Sequence, residues 1–341
     1  MVTFESDYTN GACKEIMERL AETNDDRQTG YMHDDYCESA RKKIAEACGD
    51  PDAFVYFAVG GTQANALVTG SVLKDYQGVM AAKTGHISLH EGGAIEFTGH
   101  KVIELGHKDG KVQAEELENY LKVFYADENL DKMVFPGMLY ISHPTEYGTL
   151  YTKTELAKLS EICHQYGMKL YLDGARLGYG LAALNTDVTL KDIYRLCDIF
   201  YIGGTKVGAF CGEAIVFARG CEPEHFETVA KQRGALIAKG RLLGVQFDTL
   251  FTDGLYERIG RHAIDMAMRI RDLFVSRGYR MYLDSPTNQQ FVILDNKKME
   301  ELKSKVGFAF WEKYDEEHTV VRFASSWSTT EEDMAYLESI V

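Results

Sequence analysis

Proline is scarce in this 341-residue chain, with five in all, so turns have to be marked by its 31 glycines. No apolar stretch approaches the roughly 18 residues that a membrane-crossing helix needs. The opening run Met1-Val-Thr-Phe-Glu-Ser-Asp-Tyr8 lacks the positive end and apolar centre of a secretory leader. A long basic run is missing too: 37 Lys and Arg stand against 52 Asp and Glu, a formal net charge of −15. Nonspecific nucleic-acid affinity comes mainly from cations that release counterions, so a nucleic-acid partner is disfavoured. The seven cysteines are scattered and include no C-x-x-C pair, which removes the usual zinc and redox spacings. They read as free thiols in a reducing compartment. The expectation is a cytoplasmic protein with neither a membrane nor a nucleic acid as partner.

What the chain does have is apolar bulk. At 45% apolar, with 20 Tyr and 17 Phe, it can bury enough surface to exclude disorder, and its length fits two domains. Strand-like runs at 53–59, 101–105, 138–142, 169–172, 199–202 and 214–218 alternate with helical patterns at 62–73, 113–125 and 153–166. Strands apolar throughout and joined by helices indicate a mainly parallel sheet covered on both faces. A long helical pattern covers about 222–251, and another covers 256–277. The tail alternates polar and apolar residues at 280–283, 290–294 and 319–324 before a closing helix from Thr330. The expected division is a large domain over 1–254, with an N-terminal arm, and a smaller α+β domain over 255–341.

Ligands of an open α/β sheet bind beyond the carboxyl ends of its strands, so the residues just after each apolar run are informative. Gly60-Gly61-Thr62 opens a helix after the first run, where glycines admit close approach and unpaired N–H groups face an anion. A plain turn with Thr62 as cap explains it as well. Leu170-Tyr-Leu-Asp173-Gly-Ala-Arg176 ends a buried strand on a carboxylate, though Asp173 as a cap paired with Arg176 is the blander alternative. Ile199-Phe-Tyr-Ile-Gly-Gly-Thr-Lys206 ends another on a lysine, whose charged form apolar surroundings would disfavour, as an imine-forming amine needs. His86 and His90 lie four apart beside Glu91, but no third ligand follows at a zinc-site spacing and H-E-x-x-H is absent, so no metal is expected. An anion cradle, an aspartate and a lysine on successive strand ends meet three demands of pyridoxal phosphate: a phosphate site, a carboxylate for the ring nitrogen, and an amine for the aldehyde.

At this point the sequence resembles the threonine aldolase and β-eliminating lyase family of fold-type-I pyridoxal-phosphate enzymes. The likeness runs through Phe4-Glu-Ser6-Asp7, Gly61-Thr62-Gln-Ala-Asn65, His86-Ile-Ser-Leu-His-Glu91-Gly92-Gly93, Asp173-Gly-Ala-Arg176, Thr205-Lys206 and Val321-Arg322, nearly the whole chain in order. The resemblance implies a three-layer fold, Lys206 as the Schiff-base lysine, Asp173 on the pyridine nitrogen, and Gly60, Gly61 and Thr62 on the phosphate. It also implies His86 stacked on the ring, and Arg176, Arg322 and Ser6 on the substrate carboxylate. Lys231 and Lys239 resemble residues that reach a neighbouring subunit's phosphate, though a solvated helix face explains them nearly as well. The family's homodimers or homotetramers share active sites, a role that Ser6-Asp7 and Asp25 to Asp35 would fit.

The sequence departs from the family in one loop. Ser142-His143-Pro144-Thr145-Glu146-Tyr147-Gly148 puts Glu146 in or near the slot of the histidine that contacts the substrate's β-hydroxyl, and a histidine, His143, three residues earlier. Glu146 or His143 is thus the expected base. The implied activity is cleavage of L-threonine or a related β-hydroxy-α-amino acid to glycine and an aldehyde. β-Elimination on another amino acid, or cofactor binding without turnover, stay open on sequence alone.

Overall fold

Seven apolar segments assemble into the central sheet. The computed structural model describes residues 2–341. Its first strands are β1 (Phe54–Ala58), β2 (Gln77–Ala82), β3 (Val102–Leu105), β4 (Phe135–Ser142), β5 (Lys169–Asp173), β6 (Ile199–Gly203) and β7 (Glu213–Phe217), in the spatial order β1-β7-β6-β5-β4-β2-β3. The pairs among β2 to β6 are parallel, whereas β7 is antiparallel to both β1 and β6. Burial along nearly the whole of β4, β6 and β7 is what a sheet covered on both faces requires. The 204–212 link is too short for a helical crossover, so β7 must return antiparallel. Its first residue, Glu213, therefore lies at the edge where β5 and β6 end.

A second, antiparallel sheet follows: β8 (Arg280–Met281), β9 (Gln289–Asp295), β10 (Ala309–Lys313) and β11 (His318–Ala324), ordered β10-β11-β9-β8. The helix Leu255–Ser276 is the spine between the two sheets. Its first half puts Leu255, Tyr256, Ile259, Ala263 and Ile264 into the main core, and its second half puts Met266, Ile270, Leu273 and Phe274 into the smaller one. It crosses the helix Leu177–Ala182 with backbones touching: a Cβ on Gly260 would lie 2.4 Å from the Gly178 carbonyl oxygen, so only glycine fits. The N-terminal arm is strapped to the second sheet. Phe4 N–H donates to Gly307 O at 2.7 Å, Ala324 N–H donates to Phe4 O at 2.8 Å, and the Phe4 ring is buried in the smaller core. Burying that ring contributes roughly 2–3 kcal/mol, and the arm that follows brings Asp7 to Arg176 and Tyr8 to the cleft between the sheets.

Several elements differ from the sequence expectation. The single helix expected over 222–251 is two, Phe226–Gln232 and Arg241–Leu250. Gly234 sits at φ +68 between them, and a Cβ on Gly240 would collide with Met32. Strands β2 and β10, the helix Asn296–Lys303 and the short helices His86–Leu89 and Ala94–Phe97 had no clear sequence signal. All seven cysteines are unpaired. Among the described residues no helix is long and apolar enough to cross a membrane.

Candidate active site

The ends of β1, β5 and β6 meet over a cavity of about 280 Å³ lined by Gly60, Gly61, Thr62, Asp173, Lys206 and Glu213, among others. Lys206 enters it from the turn after β6, where the Gly204 and Thr205 N–H groups donate to Gly212 O and the Tyr179 hydroxyl donates to Lys206 O. Burial drives the Lys206 amine below its ordinary range and the Arg176 charge adds to this, against Asp7, Asp173 and Glu213. Glu213 accepts from Thr205 Oγ1 at 2.8 Å and from Gly204 N–H at 3.2 Å. Burial pushes its carboxyl up to about 8.

Asp173, the last residue of β5, is buried and accepts four hydrogen bonds. Tyr140 Oη at 2.6 Å and Asn65 Nδ2 at 3.1 Å donate to Oδ2, while the Tyr201 hydroxyl and the Ala175 N–H donate to Oδ1. Such a carboxylate is held in a fixed orientation. The helix Gly61–Val72 points its first N–H groups into the same cavity, a position that favours an anion. A Cβ on Gly60 would project into open space, whereas one on Gly61 would lie 2.9 Å from Tyr201 Oη. The residues fit the three demands of pyridoxal phosphate: the Lys206 amine, the buried Asp173 carboxylate and the helix end at Gly60 to Thr62 share one cavity.

A second cavity, of about 580 Å³, opens outward from the first and shares Tyr8, His86, Glu146, Arg176 and Lys206 with it. His86 Nδ1 lies 2.8 Å from Glu91 Oε1, which also accepts from Asn65 at 2.7 Å. The His86 backbone N–H donates to Glu146 Oε1 at 3.0 Å, and Ser142 Oγ lies 2.6 Å from the same oxygen. Burial raises the Glu146 carboxyl above its ordinary range, against the hydrogen bond from Ser142.

Arg176 and Arg322 face this outer cavity. Arg176 is gripped by Asp7 through Nε to Oδ2 at 2.7 Å and Nη2 to Oδ1 at 3.0 Å, a pair that does not use Nη1. Burial alone would push the Asp7 carboxyl up, but Arg176, Lys206 and Asn288 outweigh it and hold the group at about 2. Arg322 donates to Gln289 Oε1 at 3.0 Å and to Glu5 O at 3.1 Å. Its Nε and the Ser6 Oγ are buried without any partner. Burial and the neighbouring Arg176 charge bring Arg322 down to about 10. The unpartnered Arg322 Nε and Ser6 Oγ are buried donors beside a second guanidinium, chemistry that suits a carboxylate.

Of the residues singled out from sequence, Lys206, Asp173, His86, Glu146, Arg176, Gly60, Gly61, Thr62 and Arg322 line the two cavities. His143 lies elsewhere: fully buried, it accepts from the Tyr151 N–H at 3.3 Å, and burial pulls its imidazole down to about 4. Its neighbour Pro144, and not its own ring, borders the cavity. Lys231 and Lys239 are exposed and line neither cavity; Lys231 Nζ sits 4.5 Å above the Tyr31 ring. Tyr31 and His33, from the 25–35 stretch, line a separate groove of about 520 Å³. Sequence reasoning gave no role to Tyr140, Tyr201, Glu91 or Glu213. Asn65 carried a weak signal, lying one helical turn beyond Gly61 and so on its face.

Several known proteins share this plan. A threonine aldolase from Leishmania major is 38% identical with a TM-score of 0.95, over 100% of this chain and 98% of that one. A low specificity L-threonine aldolase from a Pseudomonas species is 29% identical over 331 residues, 96% of this chain and 93% of its own. Cystalysin from Treponema denticola, whose crystal structure contains a pyridoxal 5'-phosphate cofactor, shares the fold with a TM-score of 0.70 at 18% identity, over 100% of this chain and 91% of that one. The family described as Beta-eliminating lyase matches residues 3–276, a span that takes in the arm, the phosphate cradle, Asp173 and Lys206. On that match and these relatives, the chain belongs to the beta-eliminating lyase family, whose members are pyridoxal-phosphate-dependent lyases.

Proposed function

We propose that this protein cleaves L-threonine, or a related β-hydroxy-α-amino acid, to glycine and an aldehyde. The observation that carries the reading is Glu146, a half-buried carboxylate of raised pKa in the cleft that Lys206, Arg176 and Arg322 also line. The threonine aldolases among its relatives support the same substrate class.

Pyridoxal phosphate, once bound, supplies an electron sink beside the substrate's Cα. Asp173 keeps a proton on the ring nitrogen, and the low pKa of the Lys206 amine leaves a larger fraction neutral and nucleophilic than an exposed lysine would have. Arg176, Arg322 and Ser6 hold the substrate carboxylate, which fixes the direction of the Cα–Cβ bond and so selects which bond breaks. Glu146 takes the β-hydroxyl proton, and its raised pKa brings it closer to the value a general base needs near neutral pH. His143, sealed from both cavities, does not take part.

The reading includes a cytoplasmic homodimer or homotetramer, supported by seven unpaired cysteines and by Lys231 and Lys239 standing exposed away from this chain's own cleft. Residues 1–254 would be the cofactor domain and 255–341 the smaller domain that brings in Arg322. The test is a product assay on holoenzyme with L-threonine, L-allo-threonine, their D-forms and serine. Glycine with acetaldehyde is expected; pyruvate with ammonia from serine would replace cleavage by β-elimination, and no product at all would leave a binding protein.

A further inference from the structure

Two side chains, Ser142 and Tyr140, stand in line between Glu146 and Asp173. Ser142 Oγ is 2.6 Å from Glu146 Oε1 and 3.2 Å from Tyr140 Oη, which is 2.6 Å from Asp173 Oδ2. Counting protons along this line gives a constraint. Asp173, ionised, only accepts, so the single proton of the buried Tyr140 hydroxyl is committed to it. Ser142 then has one proton for two neighbours. With Glu146 ionised, that proton goes to Glu146, and the Ser142 and Tyr140 oxygens face each other with nothing between them. With Glu146 protonated, Glu146 donates to Ser142, Ser142 to Tyr140 and Tyr140 to Asp173, and every gap holds one proton. The His86 N–H donates to Glu146 in both states.

We propose that Tyr140 and Ser142 are positioning residues that form a relay, through which the negative charge on Asp173 stabilises Glu146 in its protonated form. This rests on Glu146 being the base for the β-hydroxyl. When the substrate O–H bond breaks, its proton moves to Glu146 and the Ser142 hydroxyl rotates from Glu146 to Tyr140. Glu146 then gives that proton up to solvent while Cα takes one through the Lys206 amine, so none is gained or lost in a turnover. One carboxylate would thus serve both ends of the reaction, holding the proton of the ring nitrogen and anchoring the relay through Oδ2. The other groups that face Glu146 are His86 from the helix after β2, Arg176 ahead of the helix Leu177–Ala182, and Tyr147 and Tyr151 from its own loop. Burial and Asp173 oppose the ionised form and the two basic groups favour it, and the relay adds to the protonated side.

The test compares Tyr140→Phe, Ser142→Ala and the double variant as holoenzymes, by pH-dependent threonine cleavage and by solvent exchange of the glycine Cα proton. The exchange uses Lys206 and Asp173 but no β-hydroxyl. Without Tyr140, the Ser142 proton always goes to Glu146, so the ionised form gains. The acid limb of kcat/KM should then move to lower pH in Tyr140→Phe, by about one pH unit for a tenfold change in proton affinity. Cleavage should fall about tenfold in both single variants, with glycine exchange within twofold of the parent. Because both break the same chain, the double variant should be no slower than the slower single one. Equal loss of cleavage and exchange, or additive losses, would overturn the relay. Should Tyr140→Phe hold its cofactor poorly, Ser142→Ala decides alone, since it leaves the Tyr140 to Asp173 bond in place. Failure of the base assignment itself would look different: Glu146→Gln would then cleave threonine at the parent rate.

Discussion

Replacing Asp7 by asparagine removes one charge from a buried pair without changing its shape. In the parent, Asp7 grips Arg176 through two contacts at 2.7 and 3.0 Å and accepts from Asn288 at 2.9 Å, with only 2% of its surface exposed. An amide keeps one acceptor and turns an N–H₂ group towards a guanidinium that also only donates. The titration gives one measure of the loss. A carboxyl at about 2 in the folded chain and near 3.8 when unfolded is worth about 2.5 kcal/mol at neutral pH. Breaking a buried pair costs about 3–5 kcal/mol by a separate measure. The two agree on a few kcal/mol. Because the folded pKa is the lower one, this stability is complete above about pH 4 and lost as pH falls towards 2. Thermal unfolding of Asp7→Asn should therefore come several degrees earlier than the parent's at pH 7, with the gap closing in acid. In steady-state cleavage of threonine, a guanidinium still charged but no longer held should lower kcat more than it raises KM, by about 10- to 100-fold, or roughly 1.4–2.7 kcal/mol. An Asp7→Asn enzyme with the parent's kcat and the parent's melting temperature at pH 7 would refute this account of how Arg176 is aimed.

Other substitutions test other parts of the cleft. Gly61→Ala places a Cβ 2.9 Å from Tyr201 Oη, so equilibrium dialysis should show cofactor affinity reduced by about tenfold, about 1.4 kcal/mol; unchanged affinity would mean that the helix end tolerates the shift. Glu213, with its carboxyl raised to about 8, withdraws stability from the apoprotein as pH rises from about 4.5 towards 8, by up to about 1.4 kcal/mol for each pH unit in which the unfolded chain has ionised and the folded one has not. Glu213→Gln should flatten that decline in melting temperature, and an identical slope in both proteins would count against it. Glu146→Gln should keep the visible cofactor band and slow threonine cleavage by about 100-fold, whereas His143→Gln should alter melting temperature but leave kcat/KM within about twofold.

Much of the framework was legible because apolar runs ending on a polar residue mark buried strands. β1, β4, β5, β6 and β7 could all be read in that way, and Asp173 and Lys206 stood out at strand ends. β2 escaped because Gln77-Gly78 and Ala81-Ala82 dilute its pattern. The direction of β7 follows from the length of the 204–212 link, which no apolar pattern records. The break in the 222–251 helix depends on Met32 filling the space beside Gly240, a contact between distant parts of the chain. The same holds in the site: Asp7 reaches Arg176, and Asn65 reaches Asp173, across more than a hundred residues. Tyr140 lies inside a strand whose apolar character already explains a tyrosine, so its hydroxyl gave no signal. The choice between Glu146 and His143 was likewise out of reach from spacing, because it turns on which side chain the loop seals inside.

The attachment point of the cofactor tests the central claim most directly. Holoenzyme treated with borohydride, digested and mapped by mass spectrometry should carry the phosphopyridoxyl group on the peptide containing Lys206 and on no other. A tag on Lys231 or Lys239 instead, or none at all despite bound cofactor, would contradict it.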